Sequence, residues 1–149
     1  MDAEHIDNDE IILRRIPPPL SDNCRDSSHG GSRPTSQRMQ LLKKDDRGLS
    51  CTRLLQTSPA KLLEQLKEQE KDPNGWGVCY LKVGAVRELG LDVIHCPEGN
   101  DDGHCEIRGK VDKKASKKLS KIARMLSPSQ SSMEKEELIA LLAKEGKSP

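Results

Sequence analysis

The chain is almost without aromatic side chains: Phe is absent, and Trp76 and Tyr80 are the only aromatics in 149 residues. Aromatic side chains bury more area than any others, so the core has to be assembled from Leu, Ile and Val. Such a core is small, and small cores leave only a few kcal/mol of net stability. The sequence therefore predicts a modest domain, of a kind that a partner stabilises further. A length of 149 residues fits one domain plus tails. One third of the residues are hydrophobic and one third charged, an apolar share below that of an ordinary globular domain.

Bulk charge names no partner, since 25 basic residues face 24 acidic ones. No window approaches the roughly 18 apolar residues of a membrane span, so no membrane partner is expected. Residues 1–10 are acidic and lack the basic-then-apolar pattern of a secretory leader. Five cysteines make an odd number. Together these features predict reduced thiols in a cytoplasmic protein.

Read along the chain, residues 1–9 are polar and expected to be disordered. Residues 10–16 read as a strand, stopped by Pro17, Pro18 and Pro19, which offer no ladder donor. Residues 20–37, rich in Ser, Asp, Asn, Gly and Pro, read as a flexible loop. Met39, Leu41 and Leu42 suggest a second strand, residues 43–48 a charged turn, and residues 49–55 a third strand. Ser58-Pro59 is a helix start, with Ser58 as cap and Pro59 in the first turn. Leu62, Leu63 and Leu66 then give residues 60–71 an apolar face. Asp72-Pro73-Asn74-Gly75 makes a turn. Residues 76–83 read as a strand, 84–89 as a short helix stopped by Gly90, and 91–95 as a strand. Residues 97–103 form a turn into a return strand over 104–108, closing a hairpin.

Beyond residue 110 the pattern changes. Val111, Ala115, Leu119, Ile122 and Leu126 recur at helical spacing. Residues 108–124 hold eight basic residues against one acidic, a local charge of +7. Residues 127–132 read as a serine-rich linker. A last helix follows, with Ser131 and Glu134 as its capping box. The expected organisation is a disordered segment 1–9, an α+β core domain 10–109, a basic amphipathic helix 110–126, a linker 127–132 and a C-terminal helix 133–149. The predicted fold class is α+β, a small mixed or antiparallel sheet with a few short helices.

Four pieces in order resemble a family of small uncharacterised bacterial proteins. They are Leu13-Arg14-Arg15-Ile16-Pro17-Pro18, then Thr35-Ser36, then Gly48-Leu49-Ser50, and last the run from Gly84-Ala85-Val86-Arg87-Glu88-Leu89-Gly90 through Leu91-Asp92-Val93. That run continues to Pro97, Gly99-Asn100 and His104, and the likeness covers residues 10–109. It implies a shared bacterial fold and no particular chemistry. The basic helix and the tail after residue 110 depart from it.

The most suggestive chemical cluster is His95-Cys96 and His104-Cys105, on either side of a loop with Asp101 and Asp102. Thiolate and imidazole suit zinc. The spacing matches no paired-ligand knuckle, however, and adjacent strand residues point to opposite faces, so each face receives one ligand from each pair. No metal site, no cofactor and no catalytic residue is assigned on this basis. A Cys–His nucleophile pair would need a third orienting group and an oxyanion hole, and neither is identifiable; His104 is the first choice if the chain is an enzyme. Gly30-Gly31-Ser32 and Asn74-Gly75-Trp76-Gly77 lack the ending and context of phosphate loops. Trp76, alone at a strand start, reads as core.

The basic helix has the stronger physical case. Lys110, Lys113, Lys114, Lys117, Lys118, Lys121 and Arg124 surround a thin apolar stripe, a face suited to phosphates or to an acidic partner. Lysine dominance points to charge contact rather than base reading, and no interleaved aromatics support single-strand stacking. The C-terminal helix offers Leu138, Leu141 and Leu142 as a face for a partner's groove, unless it folds back on its own domain. The expectation is a non-enzymatic protein–protein interaction or accessory module, placed by association in a bacterial toxin–antitoxin or defence operon. A nucleic-acid-binding protein using residues 108–124 is the first alternative, and a small enzyme using His104 the second.

Overall fold

An unbroken apolar run, Ile11-Ile12-Leu13, starts the strand that lies inside the main sheet. Its residues point alternately to the two faces, and all three are buried. Both faces of the sheet are therefore covered. The computed structural model describes residues 5–26, 32–40, 48–98 and 101–145. Its elements run β1 (Ile11–Ile16), α1 (Leu20–Asn23), β2 (Cys24–Asp26), β3 (Ser32–Pro34), a 3-10 turn (Ser36–Met39), β4 (Leu49–Arg53), a second 3-10 turn (Leu54–Gln56) and α2 (Pro59–Glu68). They continue with β5 (Gly77–Lys82), α3 (Val83–Glu88), β6 (Asp92–His95), β7 (His104–Arg108), α4 (Lys113–Ile122), β8 (Arg124–Met125), α5 (Pro128–Ser131) and α6 (Lys135–Glu145).

The fold is α+β. A six-stranded sheet has the order β6-β7-β4-β1-β5-β8, with every pairing antiparallel, and β2 and β3 pair in a small second sheet. Ile12, Ile16, Leu49, Cys51, Cys79, Leu81, Cys105 and Ile107 face one layer, which α3, α4 and the Ser36–Met39 turn cover. Ile11, Leu13 and Val78 face the other, where Leu62 of α2 and Leu138 and Leu142 of α6 pack.

Caps mark several helix starts. The Ser58 hydroxyl accepts from the Lys61 N–H at 3.3 Å, as the sequence predicts. Asp112 accepts from the Ala115 N–H at 2.9 Å and starts α4. Gly90 ends α3 with φ +86°, a left-handed conformation that favours glycine.

Several expectations are corrected. Residues 5–9 are ordered rather than disordered: Ile6 is 1% exposed in the core, and the Gly84 N–H donates to the Asn8 carbonyl at 2.8 Å. A Cβ on Gly84 would sit 3.0 Å from that carbonyl oxygen, so the close approach favours glycine. The stretch 20–37, read as a loop, contains α1, β2, β3 and the start of a 3-10 turn. Met39 is buried in that turn rather than in a strand, while Leu41 and Leu42 lie outside the described residues. The third strand stops at Arg53, and Leu55 turns outward.

The basic helix ends at Ile122, and Arg124 belongs to β8. There the chain crosses the sheet, so Leu126 packs in the layer opposite Leu119. The serine-rich 127–132 stretch is not a plain linker. Ser127 caps α5 through a reciprocal box with Gln130 (3.2 and 2.8 Å), and this is where the capping box lies, not at Ser131 and Glu134. The C-terminal helix folds back on its own domain: Leu138 and Leu142 are buried and Leu141 half-buried. That leucine face is occupied within the chain and is not a surface held out to a partner.

Removing a buried leucine costs its transfer energy plus a cavity term. Leu138→Ala is expected to lower stability by about 2–5 kcal/mol, read from the midpoint of urea unfolding. An unchanged midpoint would show that α6 does not pack as described.

Candidate functional site

The β6–β7 hairpin sorts its histidines and cysteines by face. His95 pairs in register with Cys105, and Cys105 with Cys51. All three are buried in the layer under α3 and α4. His95 Nε2 lies 2.7 Å from the Asp102 carbonyl. A carbonyl only accepts, so Nε2 carries the proton and His95 secures the turn backbone.

Burial pushes the Cys51 thiol up to about 11, and desolvation raises Cys79 and Cys105 further still. At neutral pH all three are inert thiols. All five cysteines are free.

Cys96 and His104 point to the opposite face. His104 Nδ1 lies 3.0 Å from the Cys96 carbonyl and 3.5 Å from the Cys96 sulfur. The Glu98 carboxylate is 3.6 Å away. The carbonyl contact again fixes a proton on Nδ1, so in this tautomer the imidazole cannot take the Cys96 proton. The Cys–His nucleophile arrangement is not set up.

His104 is followed two residues on by Glu106, on the same face of β7 by strand alternation. Glu106 is buried and pairs with Arg108 at 3.0 Å. Cys96, His104 and Glu106 offer three ligand atoms, all within 4.8 Å of one another. Glu106 is the member that sequence reasoning missed. Strand alternation from His104 is the signal in the sequence that reaches it.

His104 also borders a pocket of about 300 Å³ between the sheet and α2. Arg14, Arg15, Thr52 and Asp101 line it too. Asp101 is held by its own turn, accepting from the Gly103 N–H at 3.2 Å and from Thr52 Oγ1 at 3.3 Å. Burial lowers the Arg15 pKa, and the facing Asp101 carboxylate opposes that shift.

The lysine surface is elsewhere. Lys113, Lys114, Lys117, Lys118 and Lys121 are all exposed on α4. At about 100° per residue they fall within an arc of roughly 140°. Lys110 is exposed just before the helix. Arg124 is diverted: it is half-buried and donates to the Lys121 and Ala123 carbonyls at 2.6 and 2.8 Å, closing the helix C-terminus. Among the described residues these lysines have no acidic ion-pair partner.

The buried side of α4 is narrow. Ser116 donates to the Met39 carbonyl at 2.9 Å, and Ser120 to the Pro34 carbonyl at 2.6 Å while accepting from Arg33. These serines, four residues apart, replace apolar contacts along one edge of the helix. Trp76 is half-buried rather than core, with the Lys71 ammonium 5.8 Å from its ring centroid, a cation–π contact.

No family model, no curated protein and no solved structure matches this chain. The reading of the site therefore rests on the chain's own residues. Among the described residues no helix is long and apolar enough to cross a membrane.

The thiol environments predict a split in reactivity. With an aromatic disulfide reagent at mildly alkaline pH, only the half-buried Cys24 and Cys96 should react in the native protein, and all five cysteines after denaturation. Five rapid native thiols would contradict the burial of Cys51, Cys79 and Cys105.

Proposed function

We propose that this protein is a non-enzymatic interaction module that engages an acidic partner protein through the lysine face of α4. One observation carries the reading: five exposed lysines share one helix face without a carboxylate partner among the described residues. Their mutual repulsion falls when an acidic surface covers them. The leucine face of α6 is used inside the domain and takes no part. The five free cysteines favour a reducing compartment such as the cytoplasm.

A nucleic-acid backbone is the second reading. It is favoured by Arg33, which touches α4 through Ser120 and lies opposite Arg25 in the small sheet, extending the basic surface. Binding through five lysines would fall with salt at a log–log slope of about −4.5 on duplex DNA.

The fourfold variant Lys113→Gln, Lys114→Gln, Lys117→Gln, Lys118→Gln tests both readings. Its unfolding midpoint should match the parent, because these side chains are exposed. Immobilised parent protein should retain an acidic protein at low salt and release it at high salt, and the variant should not retain it. Fluorescence anisotropy with labelled duplex separates the second reading, which requires the steep salt slope. Equal retention by parent and variant would remove α4 as the contact surface.

A further inference from the structure

We propose that Cys96, His104 and Glu106 form a binding site for a zinc-like divalent transition-metal ion. The site lies on the opposite face of the sheet from α4 and is independent of the lysine surface. It rests on convergence: a sulfur, an imidazole nitrogen and a carboxylate oxygen come within 4.8 Å of one another. His104 and Glu106 lie on β7, and Cys96, one residue beyond β6, is tied to β7 by its N–H, which donates to the His104 carbonyl at 3.0 Å.

The spacing suits the ion. Zinc bonds of about 2.3 Å to sulfur and about 2.0–2.1 Å to nitrogen, at the tetrahedral angle, put the two ligand atoms about 3.5 Å apart. The Cys96 sulfur and His104 Nδ1 are 3.5 Å apart. The three donors leave the fourth tetrahedral position to water.

The donor set selects the metal. A sulfur ligand disfavours magnesium and calcium, which take oxygen, whereas mixed sulfur, nitrogen and oxygen donors suit zinc and its neighbours. Arg108 bonds Glu106 at 3.0 Å, fixing the orientation of a buried ligand as outer-shell partners do. On binding, the Cys96 thiol releases its proton to solvent. The imidazole proton leaves Nδ1 and a proton is taken up at Nε2 through water. No electron is transferred. His104 also lines the pocket beside α2, so the ion would lie at the pocket's edge.

The test uses the full chain, reduced and freed of metal. Titration with zinc chloride in a calorimeter should give one ion per chain. Cys96→Ser and His104→Gln should each weaken binding by more than about tenfold, while Cys24→Ser, a half-buried thiol outside the cluster, should leave it unchanged. Cobalt(II) added to the unmutated protein should give a sulfur-to-cobalt charge-transfer band in the near ultraviolet, a readout that needs no variant to fold. Absence of zinc binding, absence of that band, or binding that survives both Cys96→Ser and His104→Gln would overturn the proposal.

Discussion

Inside the sheet the pairing of β1 with β4 is short, and a buried ion pair holds it there. The two strands share only two register pairs, Ile12 with Arg53 and Leu13 with Thr52. At that joint Arg53 Nε lies 2.8 Å from Glu10 Oε1, and its Nη2 lies 3.0 Å from Oε2. The side chains are 6% and 7% exposed. The Glu10 carboxylate also accepts from the Asp7 N–H, and the Arg53 N–H donates to the Gly103 carbonyl. Beyond the joint the strands part, and Arg14 spans the gap to the Ser50 and Arg38 carbonyls. Desolvation makes such a pair weak evidence of net stability, but removing one partner strands a buried charge and costs about 3–5 kcal/mol. The hairpin with Cys96, His104 and Glu106 hangs on one side of this joint, and β5 and β8 on the other.

The sheet also separates two surfaces. Register places His104 with Thr52 and Leu13 on the face that α2 and α6 share, while Cys105 and Cys51 lie with α4 on the other. A change to the lysines of α4 and a change to the His104 cluster therefore act on different faces. The aromatic-poor composition explains the architecture between them. With two aromatics, neither in either buried cluster's fully buried set, the chain fills both layers with aliphatic side chains, four cysteines in or against one layer, and a serine-lined helix edge.

Much of the strand and helix content was legible in the sequence, because its signals are local. The run at Ile11-Ile12-Leu13, the Ser58-Pro59 start, the Gly90 stop and the hairpin around residues 97–103 each depend on neighbours a few residues away. The failures have two physical origins. Residues 20–37 and 127–132 read as irregular because Ser and Pro favour turns, yet Pro in a first turn and Ser with Gln three residues on also start helices. The second origin is long-range packing. Nothing local says that Leu138 joins the buried cluster that holds Leu13, that Ile6 is buried, or that the basic helix must end where β8 pairs with β5. The candidate site was half legible: the opposite-face rule separated His95 from Cys96, and the same rule extended two residues from His104 reaches Glu106.

The claim that the two halves of the sheet are held together at Glu10 and Arg53 is tested most directly by a double-mutant cycle. Glu10→Gln, Arg53→Leu and the combined variant would be compared with the parent by urea unfolding. The account predicts that each single change is strongly destabilising and that the double variant loses much less than their sum, a coupling above about 1 kcal/mol. Losses that add to within about 0.5 kcal/mol would contradict it.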